Sequence, residues 1–143
     1  MPHADFYLVD TPRFRADPLL LVCELVKRAY EAERSTLVLV ESRAQAEALD
    51  DALWAFEDDA FVPHQIAGED DDDATPVLIV PPEAAAADRP HVVNLREQCA
   101  PAGYELVQEI VPFDAALRVA SRARWAAYKA RGEDVRKLDA LEP

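Results

Sequence analysis

Apolar and polar positions follow two rhythms along the chain. Short apolar runs recur: ADFYLV at 4–9, TLVLV at 36–40, VLIV at 77–80, HVVNL at 91–95 and YELVQEIV at 104–111. Runs of this length, rich in β-branched residues and leucine, predict strands, and the charge-free ones predict strands buried on both faces, as in a parallel sheet. Between them the period changes. Val22, Leu25, Val26 and Ala29 recur at i, i+3, i+4 and i+7, which predicts an amphipathic helix. It opens at Asp17-Pro18, a capping residue before a proline at the first helical position, and runs to about Glu33. Ser42-Arg43-Ala44-Gln45 has the form of a capping box and opens a second helix that ends near Phe56. Pro112-Phe113-Asp114 opens a last helix, from about 114 to 131. GEDDDDATP at 68–76 reads as a polar loop, EAAAADRP at 83–90 as a loop or helical turn, and 132–143 as a charged, frayed tail. Strands alternating with helices predict an α/β sandwich around a mostly parallel sheet, with 1–143 as a single domain.

Two tryptophans fall where this pattern does not ask for them. On the second helix Leu49, Leu53 and Phe56 cluster within about 60° of the wheel, with Ala46 and Ala52 beside them. Trp54 lies about 140° from Leu49, among Glu47, Asp50 and Asp51. Either the following loop folds back over Trp54, or the indole stays exposed as an anchor for a partner, extended by Phe61-Val62-Pro63 and followed by His64. On the last helix Arg118, Arg122, Trp125 and Lys129 share a stripe about 60° wide. Leu117, Ala120, Ala127 and Tyr128 offer a core side, and Arg124 falls near it. Residues 118–137 hold seven of the 15 Lys and Arg. One reading is a solvated basic face suited to the helix C-terminus; that accounts poorly for Arg118 and Arg122 in the first turns. The other is a cationic stripe that grips an acidic peptide and seats its apolar end on Trp125.

Composition narrows the field. Half the residues are hydrophobic and 30% charged, and 143 residues suffice for a core. The net charge of -13 and pI near 4.5 oppose direct binding to nucleic acid, although single-stranded DNA could stack on the basic stripe. No apolar run nears the roughly 20 residues of a membrane span. The start, MPHADFYLVD, reads as a strand and not a signal peptide, so the cytoplasm is expected. Cys23 and Cys99 read as buried or merely reduced thiols. The glycines, Gly68, Gly103 and Gly132, are too far apart for a dinucleotide or phosphate-loop motif. His3, His64 and His91 share no metal-ligand spacing, and Asp70–Asp73 lacks the pattern of a calcium loop. No catalytic, cofactor-binding or metal-binding residue is therefore expected. A diverged nucleotide-binding enzyme is the alternative class.

Five segments in order, FYLVD at 6–10, LVCEL at 21–25, DALW at 51–54, FVPH-x-x-AGE at 61–69 and VPF-x-x-x-L…R-x-R-W-x-x-Y at 111–128, resemble the chi subunits of bacterial DNA polymerase III holoenzyme. The resemblance implies a Rossmann-like α/β fold without nucleotide chemistry and a non-catalytic adaptor. It implies two kinds of partner: the psi subunit of the clamp loader, or in some members a DNA-repair helicase, and the acidic C-terminal tail of single-stranded DNA-binding protein. Trp54, Phe61 and Pro63 match the psi or helicase surface. Val111, Arg118, Arg122 and Trp125 match the tail-binding patch. The position after the aromatic, often lysine in the family, is Ala126 here, and Lys129 is expected to supply that charge from the next turn.

Overall fold

The computed structural model describes residues 2–56 and 61–139. Its centre is a seven-stranded sheet, β1 (His3–Leu8), β2 (Thr36–Leu39), β3 (His64–Ile66), β4 (Val77–Val80), β5 (His91–Asn94), β6 (Leu106–Val111) and β7 (Asp134–Asp139), in the order β3-β4-β2-β5-β6-β1-β7. Every neighbouring pair is parallel. The helices are α1 (Pro12–Ala16), α2 (Pro18–Glu31), α3 (Arg43–Ala55) and α4 (Arg118–Ala130). This is the expected α/β, Rossmann-like architecture.

Alternation along the buried strands feeds two cores. Val38, Val40, Val77, Ile79 and Val93 pack against Val22 and Val26 of α2 and Ala46, Leu49 and Leu53 of α3. Their neighbours Leu37, Leu39, Leu78, Val80 and Val92 face the other way and join Phe6, Tyr104 and Tyr128 of α4. So α2 and α3 cover one face and α4 the other. Cys23, on the inner face of α2, is buried, and desolvation pushes its thiol up to about 12.

The caps act as the sequence indicates, with one shift. Asp17 accepts from the Leu19 N–H at 3.3 Å, and Ser42 from the Gln45 N–H at 3.1 Å. Gln45 reaches back to the N–H of Glu41, one residue before the cap, at 2.8 Å. Asp114 caps a 3₁₀ turn, Ala115–Leu117, and α4 proper starts only at Arg118. The acidic loop is an organised turn: Asp72 accepts from the Gly68 and Glu69 N–H groups and the Gln65 amide. Those bonds, the Gly68 one foremost, hold its carboxyl below the usual aspartate range. Arg89 fastens the same turn to the sheet through the carbonyls of Thr36, Asp72, Thr75 and Pro76.

One expectation needs correction. The tail does not fray at Gly132. Gly132 takes φ +86, which turns the chain out of α4. Residues 134–139 then form β7, paired with β1 from His3↔Asp134 to Leu8↔Asp139. Arg136 forks the nearly buried Asp5 carboxylate at 2.9 and 3.0 Å and locks this register. Residues 140–143 lie outside the described part.

Candidate functional site

Two surfaces stand out, and each contains one of the two tryptophans. The first lies beside edge strand β3. The core face of α3 is Ala46, Leu49 and Leu53, as its wheel predicts, and Trp54 projects away, 62% exposed. No described residue folds over it. Phe61, 59% exposed, instead lies against it with ring centroids 5.1 Å apart. Pro63 is half-buried beside them. The floor is His64, whose side chain is buried and whose ring meets the Trp54 indole edge-on at 5.3 Å. Its Nδ1–H donates to the Val62 carbonyl at 2.6 Å. Its Nε2 sits 3.0 Å from Asp50 Oδ1, close without a well-aligned hydrogen bond. Asp50 is one helical turn before Trp54, so His64 braces the aromatic pair against α3. Sequence reasoning gave His64 no role; its place directly after Phe61-Val62-Pro63 was the available signal.

The second surface lies on the opposite face, where α4 crosses β1. A cavity of about 290 Å³ has an apolar floor of Phe6, Leu8, Val111 and Trp125, and Arg118, Ser121, Arg122 and Lys137 around it. Trp125 is only partly exposed, its ring packed on Phe6 at 5.1 Å. Arg118 donates to the Pro112 carbonyl at 2.9 Å and lies 5.9 Å from the Phe113 ring centre. Arg122 is exposed and has no hydrogen bond or ion pair to a described residue. The structure thus brings together Val111, Arg118, Arg122 and Trp125. Lys129, although on the same stripe, does not line the cavity; Lys137 does. Lys137 was missed because its strand read as tail.

The predicted core side of α4 also changes. Tyr128 is buried, but Leu117 is 59% exposed and Ala127 is exposed; Ser121 takes the inner position. Arg124 turns inward because Glu109, fully buried on β6, needs a partner. Its Nε donates to Glu109 Oε1 at 2.9 Å, while Asn94 and the Tyr128 hydroxyl donate to Oε2 at 2.7 and 2.6 Å. Even so, desolvation raises the Glu109 carboxyl above the usual glutamate range, against the pull of Arg124. This network pins α4 to the sheet and fixes where the stripe points.

A larger cavity, about 790 Å³, opens at the C-terminal ends of β1, β5 and β6, where ligands of open α/β sheets usually sit. Of its three arginines, Arg15 is exposed and stacks over the Phe113 ring, 3.7 Å from its centre, and the other two are committed internally. Arg96 binds the Val40 and Val80 carbonyls, and Arg124 binds Glu109. Among the described residues no group of three His, Cys, Asp or Glu is placed to hold a metal, and no helix is long and apolar enough to cross a membrane.

The family model described as DNA polymerase III chi subunit, HolC, matches residues 1–136. DNA polymerase III subunit chi of Escherichia coli is 33% identical over 139 residues, covering 92% of this chain and 94% of that protein. The subunit of the same name in Pseudomonas aeruginosa is 30% identical over 138 residues, covering 92% of each. Among solved structures, Saccharomyces cerevisiae Dbp5 bound to Gle1 and IP6 matches with a TM-score of 0.65 at 17% identity, covering 98% of this chain and 42% of that one. The C-terminal domain of the DEAD-box protein Dbp5 matches at 0.63 and 13%, covering 97% and 90%. At such identities these two show a shared fold alone. Sequence match across nearly the whole chain, together with the two relatives, carries the assignment: the chain belongs to the family of DNA polymerase III chi subunits and so to the machinery of DNA replication.

Proposed function

We propose that the chain is a non-catalytic adaptor with two docking surfaces on one domain, working in the cytoplasm. The Trp54–Phe61–Pro63 surface takes the psi subunit, and through it the clamp loader. The α4 cavity takes the acidic C-terminal tail of single-stranded DNA-binding protein. The observation that carries this reading is the cavity itself: an apolar floor of Phe6, Val111 and Trp125 beside the guanidinium of Arg122, which has no ion pair with a described residue. An apolar peptide end needs the floor, and its terminal carboxylate suits a planar, two-pronged donor. Arg118 meets acids further back along the peptide, with Lys129 an outer charge beyond them. On a chain of net charge -13, such a local stripe is selective for short acidic peptides over long phosphate backbones.

The test is titration of a labelled synthetic tail peptide. Arg122→Glu lowers affinity about tenfold or more, because it replaces an attraction with a repulsion, and binding to the unaltered protein weakens with salt. An unchanged curve for Arg122→Glu would sink the assignment. A labelled oligonucleotide offered alone is the companion measurement, and tight binding there would favour direct contact with single strands.

A further inference from the structure

Strand β7 places a cation where the cavity lacks a wall. Along β7 the side chains alternate: Leu138 packs with the core under α2, whereas Val135 packs with the core under α4. Lys137, two residues from Val135, therefore faces α4. Its register partner on β1 is Phe6, part of the cavity floor. The next residue on that face, Asp139, pairs with Leu8 and does not line the cavity. Lys137 makes no ion pair with a described residue. The preceding residue, Arg136, is anchored on Asp5, so the strand that presents Lys137 is held in place. Arg122 thus stands on the helix wall and Lys137 on the strand wall, with the apolar floor between them.

We propose that Lys137 is a specificity-determining residue of this cavity: it closes the cavity from the strand side, so that an acidic peptide is straddled by opposed cations and not merely laid along a helix. The proposal rests on the reading of the cavity as the seat of an acidic peptide with an apolar end. A straddled peptide has its acids met from both sides, which favours consecutive carboxylates, whose side chains alternate in direction in an extended strand. It also offers a source of the charge that Ala126 does not provide.

The test uses the full chain and a labelled peptide with four aspartates followed by leucine and phenylalanine at a free C-terminus. Lys137→Gln weakens binding about two- to fivefold at low salt, the scale of one partly exposed ion pair, and makes the salt dependence shallower. Lys137→Arg restores both, and Lys137→Glu weakens binding further. Arg43→Gln, which removes one positive charge from an exposed pair with Glu83 on another part of the surface, leaves both unchanged. If Lys137→Gln binds like the unaltered protein while Arg122→Glu weakens binding, the cavity reading stands and the role of Lys137 falls. If Arg43→Gln loses as much as Lys137→Gln, the effect belongs to overall charge and the proposal is overturned. If Arg122→Glu also binds normally, the cavity reading itself is wrong and the proposal goes with it. Equal thermal midpoints for the variants keep these outcomes separate from unfolding.

Discussion

Trp54 and Trp125 differ first in what they contribute to stability. Trp54 is largely exposed and touches Phe61 and His64, whereas Trp125 packs on Phe6 at the rim of the core. Trp54→Ala is therefore expected to change unfolding free energy by no more than about 0.5 kcal/mol while abolishing psi binding. Trp125→Ala is expected to cost about 1–3 kcal/mol as well as peptide affinity, because part of a buried ring is lost. Urea denaturation of the two variants measures both values. The contrast makes Arg122→Glu the cleaner probe of the second surface. At the same scale, Glu109 has a pH signature. Its folded value lies above the ordinary 4.5, so the folded chain holds this proton more tightly than the unfolded chain. That contribution to stability is present below about 4.5 and lost as pH rises through the folded value. Glu109→Gln removes this dependence, so the stability difference between the two proteins changes across that window and flattens above it. Denaturant titrations at a series of pH values give the curve.

At the scale of elements, the chain announced those built from apolar runs or clean helical periods. The buried strands β2, β4 and β5 and the capped helices α2 and α3 were legible because burial on two faces or one stripe writes itself into residue type. Three elements were not. Helix α1 is five residues long and β3 three, too short for a period to show. Strand β7, DVRKLD, is an edge strand whose charges look like a solvated tail. What makes it a strand is tertiary: parallel pairing with β1 and the Arg136 fork on Asp5. Of the five residues expected at a peptide site, four were legible as neighbours, Arg118, Arg122 and Trp125 from their shared helix face and Val111 from the resemblance alone. Lys137 was not, because its wall comes from that unread strand. Arg136→Ala is expected to destabilise the protein by about 1–3 kcal/mol, since it leaves the Asp5 carboxylate unpaired and nearly buried. Hydrogen exchange checks this locally: β7 amides should exchange faster, while those of β2 and β4 follow only the global change.

For the whole molecule, the sheet keeps the two surfaces apart. Strands β3 and β1 are five positions apart in the sheet, which at about 4.8 Å per strand is roughly 24 Å. The surfaces also lie on opposite faces, one with α3 and the other with α4. A rigid parallel sheet between them gives no shared residue, so the two partners are expected to bind independently: psi at saturation should leave the affinity for the tail peptide unchanged within about twofold. A tether works by holding both ends at once, and this layout suits it. The central claim, that the two tryptophans mark two different docking surfaces, has a direct readout because the chain has only two indoles. In a titration of the isotope-labelled protein with the acidic tail peptide, followed by NMR, the Trp125 indole N–H signal is expected to shift progressively while the Trp54 indole N–H stays fixed. A moving Trp54 signal, or a Trp125 signal unmoved at saturating peptide, would contradict the account.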